Sequence, residues 1–212
     1  MSTASEPGDP LAVPVAPHVS SWNVANYLTV LRIALVPLFG WALLHDDGTS
    51  TAWRLTATAI FVLAAWTDRI DGQLARSRNL VTSFGKIADP IADKALIGMA
   101  FVGLSLLGEL AWAVTLVVLV REIGVTALRF WVIRHGVIPA SRGGKLKTVL
   151  QGVAIGLYVL PLTGALATAR VGVMVLAVAV TVVTGLDYVV RALVLRRTSD
   201  RAAMKRDRRA AR

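Results

Sequence analysis

Apolar residues in this chain come in long blocks rather than at the spaced positions of a soluble amphipathic helix. Six blocks can be read, at about 27–45, 53–73, 86–107, 110–133, 148–167 and 171–195. About 18 or more apolar residues in a helix are enough to cross a bilayer core of roughly 30 Å. The first block is the weakest, because Arg32 interrupts it. Residues 171–183 (Val-Gly-Val-Met-Val-Leu-Ala-Val-Ala-Val-Thr-Val-Val) have no polar face, which a helix of a soluble bundle would need. The pattern predicts an all-α integral membrane protein with six transmembrane helices. One membrane domain covers 22–197. Residues 1–21, rich in Pro, Ser and Ala and without a basic start or apolar core, are expected to be a disordered cytoplasmic extension and not a cleaved signal peptide. Residues 198–212 are expected to form a basic cytoplasmic tail.

Composition agrees. Of 212 residues, 55% are hydrophobic, and the mean hydropathy of +0.63 is too high for an ordinary soluble domain. The formal charge of +10 matters mainly through its distribution. With the N-terminus in the cytoplasm, one side receives Arg76, Arg78, Lys86, Arg134, Arg142, Lys145, Lys147 and the Arg-rich tail. The other side receives Asp46, Asp47, Arg54, Glu109 and Arg170. This is the positive-inside pattern, and it suits anionic headgroups better than nucleic acid, so no nucleic-acid partner is expected. The chain has no cysteine, which removes disulfides, thiolate catalysis and Cys-ligated metals.

Between the second and third blocks the chain becomes acidic. Asp68, Asp71, Gly72, Ala75, Arg76, Gly85, Asp89 and Asp93 form the pattern D-x2-D-G-x2-A-R-x8-G-x3-D-x3-D. Asp68 and Asp71 share a helix face at i, i+3, and Gly85, Asp89 and Asp93 form one stripe at i, i+4, i+8. Residues 77–84 are long enough to turn the chain back, so two helices would bring four carboxylates to one gap. Ionised carboxylates that close raise one another's pKa unless something neutralises them, and acids at membrane depth are functional candidates by default. Oxygen ligands without Cys or His suit Mg²⁺ or Mn²⁺, as one ion or two. Pro90 is expected in the first turns of the third helix, where its missing N–H costs little. Either glycine alone reads as close helix packing; two in register with four acids suggest room for a ligand. Arg76 is either a positive-inside anchor or a phosphate ligand. Together these residues describe a polar metal site for phosphoryl transfer at the cytoplasmic side.

The eight-position pattern resembles the motif of the CDP-alcohol phosphatidyltransferases, with every position filled at the family spacing. The likeness extends from about 22 to 195. Asn26-x2-Thr29-x2-Arg32, Arg121-Glu122 and Gly144-Lys145-x-Lys147-Thr148-x2-Gln151 resemble its phosphatidylglycerophosphate synthase branch. The resemblance implies six transmembrane helices, a homodimer, and a multi-pass protein of the cell membrane with its active site and both termini facing the cytoplasm. It implies Mg²⁺ or Mn²⁺ on Asp68, Asp71, Asp89 and Asp93, with Asp93 also the catalytic base. CDP-diacylglycerol would meet Gly72, Ala75, Arg76, Thr82 and Gly85, with Asn26 and Thr29 from the first helix. The expected reaction passes the phosphatidyl group to glycerol 3-phosphate.

That acceptor carries a phosphate and so needs basic groups beside the metals. Arg121 is the sharpest candidate, since a charge inside an apolar block needs a partner there. The other account of Arg121 is an ion pair with an acid on another helix. Glu122 is a poor partner, because adjacent helical residues point about 100° apart. Lys145 and Lys147 follow as acceptor ligands or as ordinary loop charges. Within the family, the acceptor could instead be phosphatidylglycerol, making a cardiolipin synthase, or inositol phosphate, making a phosphatidylinositol phosphate synthase. The basic set favours a phosphorylated acceptor. A cation transporter also places acids in membranes, but usually near the midplane. Asp187 and Arg191, at i, i+4, are expected to pair, and Trp66 to pack beside the acids.

Overall fold

The computed structural model describes residues 24–77, 83–132 and 142–210, with the side chains of 25, 69–77, 83, 84, 86, 87, 142 and 197–210 outside the description. Six helices follow one another: α1 Val24–Leu44, α2 Thr51–Ser77, α3 Ser83–Leu106, α4 Trp112–Val132, α5 Arg142–Val159 and α6 Gly164–Ala210. Among the described residues there is no strand.

The helices run alternately up and down. α1 packs on α2 and α3, α6 lies against α4 and α5, and α2–α5 contacts join the two groups. Small residues allow the close approach: Ala42, Ala57, Ala64, Ala100 and Ala154 are fully buried. Phe39 and Phe61 fill the space between α1 and α2, their ring centroids 5.7 Å apart. The exterior is apolar too, with Val120, Phe130, Val183 and Leu186 all mostly exposed. A continuous apolar surface of this kind belongs against lipid. Among the described residues, two helical stretches, Asn26–Gly48 and Gly164–Arg196, are long and apolar enough by themselves to cross a membrane. Trp66 is 65% exposed and faces outward rather than packing beside the acids, contrary to the sequence expectation.

The turns explain where the helices stop. After α1, Asp46, Asp47 and Gly48 all have positive φ (51°, 51° and 68°), and Thr49 donates from Oγ1 to the Asp46 carbonyl at 2.7 Å. A Cβ at Gly48 would sit 2.7 Å from Leu107 Cδ1. Gly108 (φ 70°) ends α3, as the Glu109 and Leu110 N–H groups turn back to the Leu104 carbonyl. The break between the fifth and sixth helices differs from the apolar blocks: α5 ends at Val159, where the blocks put the break near 168–170. Pro161, which has no N–H and disfavours helix before it, interrupts an apolar run that hydropathy alone reads through. α3 also begins earlier than its block, so Pro90 is interior to the helix. Its missing N–H leaves the carbonyl four residues back without its helical donor.

The end holding these turns is clamped by charge. Buried Arg54 of α2 makes two bonds to Glu109, Nη1–Oε1 at 2.6 Å and Nη2–Oε2 at 3.1 Å. It also donates to the Val159 carbonyl at 2.9 Å and to the Tyr158 carbonyl at 2.5 Å. Arg170 of α6 lies 3.3 Å from Glu109 and over the Tyr158 ring. Three residues that the charge pattern put opposite the acids thus gather into one cluster.

Candidate functional site

At the other end, α1 supplies partners for two of the acids. Asn26, Thr29 and Arg32 continue the stripe that buries Leu35, Val36 and Phe39, at spacings of three and four. Thr29 donates from Oγ1 to Asp89 Oδ1 of α3 at 2.6 Å. Arg32 is fully buried, and its Nη1 lies 2.6 Å from Asp68 Oδ1 of α2. A buried guanidinium needs a counter-ion, and Asp68 supplies it while remaining part exposed. The sequence reading gave Thr29 to the lipid nucleotide and left Arg32 without a partner. The rule that singled out Arg121, that an apolar span must pair its charge, applies equally to Arg32.

Asp93 stands one turn beyond Asp89 on α3 and opens on two cavities. A smaller one, about 240 Å³, is lined by Arg32, Asp68, Asp93, Thr148 and Gly152 among others. A larger one, about 520 Å³, lies between α3, α4, α5 and α6. Its lining includes Lys94, Arg121, Arg129, Lys145 and Lys147 against two carboxylates, Asp93 and Glu122. Such an excess of positive charge in a partly enclosed space favours an anion.

Within this larger cavity Glu122 joins three cations. Lys147 of α5, itself buried, donates to Glu122 Oε1. Arg121 Nη1 donates to the same oxygen at 3.1 Å, and Lys94 Nζ lies 3.9 Å from Oε2. Arg121 Nη2 donates to Thr184 Oγ1 of α6 at 3.2 Å. Two expectations are corrected here. Glu122 does partner Arg121, because the arginine's long stem brings its head round the helix to its neighbour. Arg121's acidic partner is therefore on its own helix, with only a hydroxyl from another. Lys94, which the sequence reading did not single out, belongs to the same cluster. Lys145 is exposed at its rim. Away from both cavities, Arg191 pairs with Asp187 at 2.8 Å as expected.

The remaining motif positions divide in two. Gly85 is buried in the first turns of α3. Gly72 lies on α2, while its surroundings, the side chains of Asp71, Ala75 and Arg76, and all of Thr82 lie outside the described residues. Among the described residues, no three acidic or histidine side chains come together as a metal site by themselves. The donor chemistry nonetheless fits a hard divalent cation: Asp68 and Asp93 face one cavity with carboxylate oxygens, Asp89 is a turn away, no imidazole lines the space among the described residues, and the chain has no thiol.

A helical bundle clad in apolar side chains, with aspartates at one end beside a basic cavity, is the setting for handling a charged lipid precursor. The CDP-alcohol phosphatidyltransferase family model matches residues 22–183, and the chain belongs to that family. It is 58% identical over 171 residues to the probable phosphatidylglycerophosphate synthase of Mycobacterium tuberculosis strain H37Rv, covering 81% of this chain and 82% of that protein. It is 40% identical over 171 residues to the CDP-diacylglycerol–glycerol-3-phosphate 3-phosphatidyltransferase of Rickettsia typhi, covering 78% of this chain and 94% of that protein. A Bacillus subtilis protein of the same name is 37% identical over 150 residues, covering 66% and 77%.

Proposed function

We propose that this protein transfers the phosphatidyl group of CDP-diacylglycerol to glycerol 3-phosphate, forming phosphatidylglycerophosphate and releasing CMP. The observation that carries the reading is Asp93, shared between the aspartate-lined cavity and the basic one. A base placed there can reach a hydroxyl whose phosphate lies among the lysines and arginines while the lipid nucleotide occupies the aspartate side.

In the reaction the acceptor's 1-hydroxyl oxygen bonds to the β-phosphorus and the bond to the CMP oxygen breaks. Asp93 takes the hydroxyl proton, because a primary alcohol is a weak nucleophile unless a carboxylate accepts its proton as the bond forms. Mg²⁺ or Mn²⁺, one ion or two, held by Asp68, Asp71, Asp89 and Asp93, would neutralise the pyrophosphate and polarise the phosphorus. Arg32 and Thr29 fix two of these carboxylates before substrate arrives, so their orientation is set by the fold. Gly72, Ala75, Arg76, Thr82, Gly85 and Asn26 complete the nucleotide side, as the family pattern supports. Arg121, Lys145 and Lys147 hold the acceptor's phosphate.

Charge argues for a phosphomonoester. Five cations against two carboxylates suit a group bearing about −1.5 to −2 near pH 7. The single charge of phosphatidylglycerol would leave more of them unmatched. Inositol phosphate passes the same test, and the names of the relatives favour glycerol 3-phosphate over it. The protein resides in the cell membrane with six spans, its site and termini facing the cytoplasm, and works as a homodimer. The apolar exterior and the charge pattern support the placement; the family likeness supports the dimer.

The test uses purified protein with CDP-diacylglycerol, Mg²⁺ and one radiolabelled acceptor at a time: glycerol 3-phosphate, inositol phosphate or phosphatidylglycerol. A new labelled lipid, distinct from the acceptor supplied, and equimolar CMP are expected only with glycerol 3-phosphate. Product from another acceptor alone would reassign the enzyme within its family.

A further inference from the structure

The Arg121 guanidinium is held in place by α6, at two residues that neither the motif nor the charge pattern singles out. Thr184 Oγ1 donates back to the Val180 carbonyl at 2.7 Å and accepts from Arg121 Nη2 at 3.2 Å. The back-bond to its own helix fixes the hydroxyl, so its free lone pair meets the arginine at a set angle. The next residue, Gly185, is buried against the arginine's stem. A Cβ there would lie 2.9 Å from Arg121 Cγ and 3.5 Å from Nε. Cγ is the second carbon of the stem and cannot swing aside without carrying the head with it. Glu122 holds Nη1 from the other side at 3.1 Å. With both terminal nitrogens tethered and the stem seated on a bare backbone, the head keeps one orientation beside the cavity that Arg121, Thr184 and Lys147 line together.

We infer that Thr184 and Gly185 form a seat on α6 that sets the Arg121 head for the acceptor's phosphate, making them positioning residues for acceptor recognition. The inference rests on the reading of Arg121 as a phosphate ligand. A guanidinium recognises phosphate through a planar fork, so a displacement of a fraction of an ångström spoils the match while leaving the charge in place. Acceptor affinity should therefore respond to the seat, and use of the lipid nucleotide should not.

The experiment measures kcat and KM for glycerol 3-phosphate and for CDP-diacylglycerol in the full-length protein reconstituted in bilayers. It compares the wild type with Arg121→Ala, Gly185→Ala, Thr184→Val, Thr184→Ser and the Arg121→Ala/Gly185→Ala double variant. Gly185→Ala and Thr184→Val are expected to raise KM for glycerol 3-phosphate on the order of tenfold, the loss of one hydrogen bond to a charged group. KM for CDP-diacylglycerol should stay put, and Thr184→Ser should restore the acceptor KM. In the Arg121→Ala background Gly185→Ala should add nothing, because the residue it displaces is gone. If Arg121→Ala raises the acceptor KM but neither seat variant does, the seat is wrong and the phosphate role of Arg121 survives. If Arg121→Ala leaves the acceptor KM unchanged, the phosphate reading itself fails and the seat falls with it. Equal rises in both KM values, or an undiminished Gly185→Ala effect without the arginine, would mark the seat as mere packing.

Discussion

A carboxylate that takes a proton from an attacking hydroxyl must face both the space where the alcohol sits and the space where the phosphorus sits. Asp93 alone among the described acids lines both cavities. Asp93→Asn keeps the size and removes the basicity, so turnover should disappear while CDP-diacylglycerol still binds. Single-turnover assays beside equilibrium binding would show this, and near-normal turnover would move the base elsewhere. Asp68→Asn should act differently: losing one anionic ligand raises the Mg²⁺ concentration needed for half-maximal rate. A metal titration unchanged from wild type would remove Asp68 from the ligand set. The spacing of the aspartates made this set legible in the sequence, because periodicity tells which residues share a helix face. The partners were not legible: Arg32 lies 36 residues before Asp68 and Thr29 lies 60 before Asp89. No periodicity spans such a gap. The pairing exists because α1 packs against both α2 and α3.

The first four helices follow their apolar blocks to within about four residues, whereas α5 begins at Arg142 and α6 continues to Ala210, because a helix extends through polar residues that hydropathy does not count. Pro161 moved the fifth break about eight residues earlier than the apolar run suggested, a signal present in the sequence but outweighed by hydrophobicity. The loops at this end are short, and the Arg54–Glu109–Arg170 cluster ties the α3–α4 loop to the ends of α2, α5 and α6. Breaking a buried pair by removing one partner is costly because the other charge stays behind, about 3–5 kcal/mol. Glu109→Gln leaves two arginines facing each other and should lower stability by that order. Thermal unfolding in detergent, followed by loss of helical circular dichroism, measures it. An unaltered midpoint would mean that the cluster is solvated rather than structural. Acceptor and nucleotide KM values should be untouched in the folded fraction, since the clamp is at the opposite end from the site.

On the scale of the whole molecule, the composition provides a direct probe of orientation and span number. With no native cysteine, a single introduced thiol reports only its own location. Thr51→Cys, exposed at the start of α2, should react with a membrane-impermeant maleimide added outside intact cells. Met204→Cys, near the end of α6, should react only after the cells are opened. Five helices, α2 to α6, separate the two positions, so labelling of both from the same side would contradict an odd number of crossings between them and the proposed orientation. The sequence by itself determined that this chain is helical, apolar on a membrane scale, basic on one side and equipped with a spaced set of aspartates, because each is a property of composition or of a short period along one helix. Tertiary structure decided which charges meet: Arg32 with Asp68, Thr29 with Asp89, Glu122 with its three cations, and Arg121 on its α6 seat. Those meetings depend on how separate helices pack and how far long side chains reach, and neither is written into any local stretch of residues.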